Sequence, residues 1–260
     1  MSDLLRFEDW SDPVPPAERE VISRLPGGDR LSEGDRERPP LLFVSGHGAW
    51  VFAEHWLGHA AGRGFPAYAV TPRPGGDPRA QVHDVVQVAA SLPRQAVLVG
   101  HGAGGRVVAR ALGRYPARAA VLVAPALDGW AALGAALRSN PAGTVPALLG
   151  GRPRFSARQL FGPEFPAEQA AAHVERIGVR PRAELFGRTS LPEPAGGPPT
   201  LVVGTPDDRV VSRPALDRAA ARYGGAPLLF PGMGHLLMLE TDWAEPIDAI
   251  LDWLDKELPH

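Results

Sequence analysis

The chain has no cysteine. Disulfides, cysteine-ligated zinc, haem thioether attachment and a thiol nucleophile are therefore excluded. An excess of either charge is also lacking. Lys and Arg number 27 against 29 Asp and Glu, giving a formal charge of −2 over 260 residues. That balance leaves no electrostatic footprint for nucleic acid or an anionic membrane surface. Lysine itself is almost absent, with Lys256 the single one; this arginine bias is compositional and carries no functional weight. Long apolar runs are missing too. The opening residues, MSDLLRFEDW, show no hydrophobic segment of a secretory leader. The longest weakly polar run, 119–137, is interrupted by Pro125, Asp128 and Gly129. An Asp at mid-membrane costs ~2.5–3.5 kcal/mol, so this run is a buried strand followed by a new segment. The expectation is a soluble, cytoplasmic protein with no membrane and no nucleic-acid partner.

What the chain has in quantity is Gly (30) and Pro (29). They punctuate short apolar runs at 41–45, 66–70, 96–100, 119–124, 200–204 and 226–230. Continuous apolar runs between such breakers suit parallel strands buried on both faces. Amphipathic stretches at 79–92, 103–115, 214–223 and 243–258 alternate with them. Strand–helix alternation implies an α/β fold with a mainly parallel sheet and helices on both faces. Residues 1–38 are charged and Pro-rich, with weak strand candidates at 4–7 and 20–25; they form an N-terminal arm or hairpin. Residues 39–125 and 199–260 form the core. Residues 126–198 break the alternation, with amphipathic pieces at 129–137, 156–160 and 167–177. An insertion this long serves as a helical cap or lid, or only buttresses the core.

The run VLVGHGAGGRVV (97–108) reads as strand, Gly-rich turn and helix. Gly100, Gly102 and Gly105 fit the G-x-G-x-x-G of a dinucleotide site. Gly100, Gly102 and Gly104 fit a nucleophile elbow, G-x-Nuc-x-G. Context separates the two. A dinucleotide turn follows the first strand, and an acid closes the next one. Here two apolar strands precede the turn, and the following strand ends Ala124-Pro125.

From about residue 40 to 258 the sequence resembles the α/β-hydrolase superfamily, in its small esterase, lipase and peroxidase-like branch. GHGAGG matches the family's GHSxGG elbow. Ser45-Gly46 matches its upstream HG pair, GTPDDRVVS (204–212) its acid loop, and PGMGHLLMLE (231–240) its histidine loop. The resemblance implies a cap over an α/β-hydrolase core. It implies His235 as the base and Asp208 as the acid that orients it. Asp208 is preferred to Asp207 because Val211 follows it by three. The backbone N–H groups of His47 and Ala103 become the oxyanion hole. The departure is Gly102, which stands where the family has serine and brings no Oγ; an acyl-enzyme through that position is chemically impossible. His101 is expected to pack beneath the elbow, and Ser45 is a poor substitute nucleophile.

A base and an anion hole without a nucleophile suit proton abstraction next to a carbonyl. Lyase, elimination, cyclisation or cofactor-free oxygenation on a lipophilic small molecule, in specialised metabolism, are the expected chemistries. Two alternatives stay open: an inactive ligand- or partner-binding pseudo-hydrolase, and a hydrolase in which His235 activates water directly. Trp50, Trp130, Phe155, Phe161 and Phe165 are candidates to line an apolar pocket, or simply to pack in the core. His47, His55, His59 and His83 form no dependable metal set, so no metal and no cofactor is expected.

Overall fold

The computed structural model describes residues 20–28, 38–73, 77–179 and 190–258. The strands are β1 (Val21–Arg24), β2 (Leu41–Ser45), β3 (Ala67–Val70), β4 (Val97–His101), β5 (Ala119–Val123), β6 (Thr200–Gly204) and β7 (Leu228–Leu229). They form one sheet in the order β1-β3-β2-β4-β5-β6-β7. β1 runs antiparallel to β3, and every other neighbouring pair is parallel. β2, β4 and β5 are buried at every position. That is why their sequences show unbroken apolar runs instead of alternation.

The helices are α1 (Trp50–Ala53), α2 (Trp56–Gly62), α3 (Pro78–Ser91), α4 (Ala103–Ala111), α5 (Gly129–Ser139), α6 (Pro141–Leu148), α7 (Ala157–Leu160), α8 (Ala167–Ile177), α9 (Arg213–Arg222) and α10 (Ala244–Glu257). α3 packs on α4, and α2 packs on α10. Local chemistry starts several of them. Asp77 accepts from the Arg79 N–H ahead of Pro78, and Asp128 accepts from the N–H groups of Trp130 and Ala131. Side-chain oxygens at these places satisfy donors that the first helical turn cannot pair internally. Phe43, Phe52 and Trp56 meet ring to ring under the sheet, at centroid distances of 4.9 to 6.3 Å. Among the described residues no helix is long and apolar enough to cross a membrane.

The structure refines the expected elements in several places. After β2 come two short helices, with His55 heading the second. Residues 141–148, between the expected pieces at 129–137 and 156–160, form the helix α6; Asn140 caps it through the Gly143 N–H and Pro141 sits in its first turn. β7 is shorter than 226–230, since Pro227 has no N–H to donate to a ladder. The stretch 20–25 forms the antiparallel edge strand β1, while the candidate at 4–7 lies outside the described residues. Helices α5 to α8 all lie in the insertion between β5 and β6.

One ion pair is built into the body of the fold. Asp84, on the inner face of α3, has no exposed surface and accepts from Arg73 Nε at 2.9 Å and Nη2 at 2.7 Å. Arg73 keeps 16% of its side chain exposed. Removing the cation takes the ion pair away from a carboxylate with no exposed surface, whereas weakening the anion leaves an arginine that still reaches water. Arg73→Met is therefore expected to cost about 3–5 kcal/mol of unfolding free energy. Asp84→Asn should cost clearly less. Urea denaturation of the two variants checks the order.

Candidate active site

The site is assembled where the parallel strands end. Ser45 and His101 are the last residues of β2 and β4 and lie in register beside each other. After His101 the chain turns sharply at Gly102 into α4. Gly102 has φ 55° and ψ −121°, a conformation that side chains with a Cβ rarely adopt. Its N–H donates to Val123 O, and its carbonyl accepts from the N–H groups of Gly105 and Ala126. The turn is also pressed against β2: a Cβ on Gly104 would stand 2.2 Å from Val44 O, an impossible contact. A Cβ on Gly102 would instead point at His235, 3.2 Å from Nε2 and 3.7 Å from Cε1. The direction a side chain would take from residue 102 is thus the direction of the imidazole.

His235 is held from the other side. Its Nδ1 lies 2.8 Å from Asp208 Oδ2, and both side chains are only 2% exposed. Asp208 Oδ1 accepts from the N–H groups of Val210 and Val211 at 2.7 and 2.9 Å. Those two bonds fix the carboxylate, so the second oxygen can only face the ring. Asp207 does something else: its Oδ2 accepts from the Gly232 N–H at 2.8 Å, which tethers the start of the histidine loop. With a carboxylate accepting at Nδ1, the neutral ring carries its lone pair on Nε2, toward Gly102.

The family scan matches the description "Alpha/beta hydrolase family" over residues 41–252. The chain belongs to the alpha/beta hydrolase family. Solved structures agree on the fold. A protein assigned as a non-heme bromoperoxidase from Mycobacterium tuberculosis aligns with TM-score 0.68 at 17% identity, covering 95% of this chain and 99% of its own. A thermophilic esterase from Thermogutta terrifontis aligns at 0.62 and 16% identity, covering 93% and 94%. An esterase from Rhodococcus aligns at 0.61 and 21% identity, covering 91% and 95%. Comparison with curated protein sequences finds no match.

Within this alpha/beta hydrolase the two oxyanion candidates differ. Ala103 opens α4, so its N–H is one of the first-turn donors that the helix leaves to others. The His47 N–H, expected to be the second donor, instead gives its hydrogen bond to Ser45 Oγ at 3.0 Å. Where the family motif has histidine, this hydroxyl is near enough to take it. The aromatic candidates also separate. Phe155 faces His47 at a ring distance of 5.8 Å. Phe161 stacks on Phe165 at 4.2 Å and is buried. Trp50 lies between His173 and Arg176 of α8, with the guanidinium 3.9 Å from its ring. Trp130 is 54% exposed. His55 stacks flat on Trp243, and His59 bonds Asp248; α10 holds both. The histidines that do converge are His47, His101 and His235. A cleft of 240 Å³ lined by Leu127, Asp128, Val211 and Arg218 runs beside the acid loop without including His235.

Sequence reasoning missed Glu240. This buried carboxylate accepts at one oxygen, Oε1, from the N–H groups of Gly234 and Gly162, each at 2.7 Å. It therefore joins the histidine loop to the insertion. Thr205 adds a bond to Met233 O, and the Leu236 N–H donates to Leu160 O. The available signal was a lone acid closing the otherwise uncharged run 231–240. Burial raises the Glu240 pKa, while its two N–H donors pull it down by less. A raised folded-state pKa gives stability that is present below the unfolded carboxylate range and is lost as pH rises through the folded value. Between about pH 4 and pH 7 the stability difference should therefore move toward Glu240→Gln at the expense of wild type. Guanidinium titrations of both proteins across that range measure it.

Proposed function

We propose that this alpha/beta hydrolase is an enzyme acting on a small lipophilic molecule by proton transfer through His235, without an acyl-enzyme. The observation that carries the proposal is the Asp208–His235 pair, closed at 2.8 Å in a nearly dry setting, with Nε2 facing residue 102. Gly102 stands at the turn where the resemblance puts a serine, and no hydroxyl follows from it. In this reading Nε2 takes a proton from a carbon or hydroxyl next to a carbonyl. Asp208 stabilises the imidazolium that forms. The developing oxyanion is received by the Ala103 N–H, with the positive end of α4 behind it. Elimination, retro-addition, cyclisation and cofactor-free oxygenation share that first step.

A second reading is supported by the room at residue 102. Chain neighbours aside, His235 is the only described residue with an atom within 4 Å of where its Cβ would be. A water there would give its proton to Nε2 and attack an ester carbonyl directly. The esterases among the structural neighbours make this the hydrolytic version of the same site. Cleavage in ¹⁸O water separates the two readings: label enters an acid product only where water is the nucleophile.

Restoring a hydroxyl tests whether the base is competent. Gly102→Ser should place Oγ against Nε2, at a cost of about 1–3 kcal/mol for a side chain at positive φ. A fluorophosphonate probe should leave wild type unlabelled and label Gly102→Ser, with fluoride leaving as the serine oxygen bonds phosphorus. Labelling should vanish in Gly102→Ser/His235→Ala. A folded Gly102→Ser that resists the probe would overturn the proposal and favour a binding protein.

A further inference from the structure

His47, His101 and His235 are all buried, and each offers a ring nitrogen within 4.8 Å of the others. Their ring centroids stand 5.7 Å apart for His47 and His101, 4.7 Å for His101 and His235, and 6.2 Å for His47 and His235. Among the described residues this is the one cluster of three or more potential metal ligands. Proton transfer through His235 uses one of the three rings and gives no account of the other two. We propose that the three imidazoles form a site for a divalent transition-metal ion of the zinc class, seated beside Gly102.

Two of the three rings are already held as metal ligands are held. A ligating histidine characteristically donates its other N–H to a carboxylate or a backbone carbonyl, which fixes the tautomer and the ring orientation. His235 Nδ1 has the carboxylate of Asp208 at 2.8 Å. His101 Nε2 lies 3.0 Å from the backbone oxygen of His235. A carbonyl oxygen only accepts, so His101 Nε2 carries the proton and its lone pair is on the buried Nδ1. The coordinating atoms assigned are therefore His235 Nε2, His101 Nδ1 and one nitrogen of His47.

Space and ligand type agree with that assignment. Residue 102 has no side chain, so no atom of its own fills the place a Cβ would take 3.2 Å from Nε2. Three neutral imidazoles without a carboxylate suit Zn²⁺, Co²⁺, Ni²⁺ or Cu²⁺, and do not suit Mg²⁺ or Ca²⁺. Zinc–nitrogen bonds of 2.0–2.1 Å put tetrahedral ligand nitrogens about 3.4 Å apart. The three offered nitrogens, no more than 4.8 Å apart, would close by up to about 1.4 Å around such an ion. Three protein ligands also leave a coordination position open, as in catalytic and not structural zinc sites.

The site shares His235 with the proton-transfer reading and does not depend on it. One lone pair at Nε2 serves either the metal or the proton, so proton transfer through His235 belongs to the metal-free chain and the ion binds in its place. The test is a titration of the untagged, metal-stripped full chain with Co²⁺, followed by Zn²⁺. One Co²⁺ per chain, with the visible d–d absorption of a four- or five-coordinate ion and displacement by Zn²⁺, is the expected result. His47→Gln lies at a loop and should fold; it should weaken binding at least tenfold and abolish thermal stabilisation by Zn²⁺. Asp208→Asn should weaken it 10- to 100-fold through the ligand it orients. His59→Gln should bind as wild type does. Absence of Co²⁺ uptake by wild type would overturn the inference. So would uptake that is undiminished in His47→Gln, or that disappears in His59→Gln. Fluorophosphonate labelling of Gly102→Ser, carried out in chelator, reports on the base alone, so the two proposals can fail separately.

Discussion

The turn at residues 101–105 must pass within touching distance of a neighbouring strand, and the rest of the site is arranged around that constraint. Gly104 lies so close to Val44 O that no side chain fits between them. β2 and β4 are thereby locked at their C-terminal ends, and α4 can leave only in one direction. Three backbone hydrogen bonds, to Val123, Gly105 and Ala126, then hold the peptide of Gly102 in a conformation the chain would not choose alone. The cost of that turn is met by the burial of β2, β4 and β5 around it. Its benefit is directional: the backbone at 102 looks at His235.

The acid side of the site is fixed by different means. Neither Asp207 nor Asp208 belongs to regular secondary structure, yet each has an assigned backbone donor. Asp208 accepts from residues just after it, which makes its loop self-supporting. Asp207 accepts from Gly232, which ties the acid loop to the histidine loop before the two catalytic candidates meet. Adjacent carboxylates thus divide positioning and pairing between them. Rotating this loop by one residue would exchange those tasks and leave the imidazole without its partner.

Much of this was legible in the chain. The apolar runs of β2 to β6 and the Gly-rich turn at 100–105 stood out because burial on both faces and close backbone approach leave only certain residues usable. His235 and Asp208 were found through motif order, and they lie within hydrogen-bond reach of each other. What escaped notice depends on distance in sequence. The Ser45 hydroxyl takes the His47 N–H, a competition invisible until the loop is folded. Glu240 reaches from the histidine loop to Gly162 in the insertion, a contact without any local pattern. His101 looked like packing, and it meets His47 and His235 only because the end of β4 and the loops after β2 and β7 converge. α6 was hidden by Pro146, which argues against a helix in isolation and is tolerated under an Asn140 cap.

Glu240 has a mechanical consequence for the insertion. Its Oε1 holds Gly162 and Gly234 at once, and Gly162 and Gly234 each sit backbone-to-backbone against the opposite segment. The stretch around α7 is therefore a doorpost, fixed to the same frame as His235. α5 and α6 are attached otherwise. They share a small apolar cluster of their own, Ala132, Leu133 and Ala147, apart from the main core. Ser139 and Asn140 at their junction link them to Arg209 O and to the buried Gln159 through hydrogen bonds. The insertion is thus joined to the frame of His235 through the stretch around α7, while α5 and α6 pack on each other.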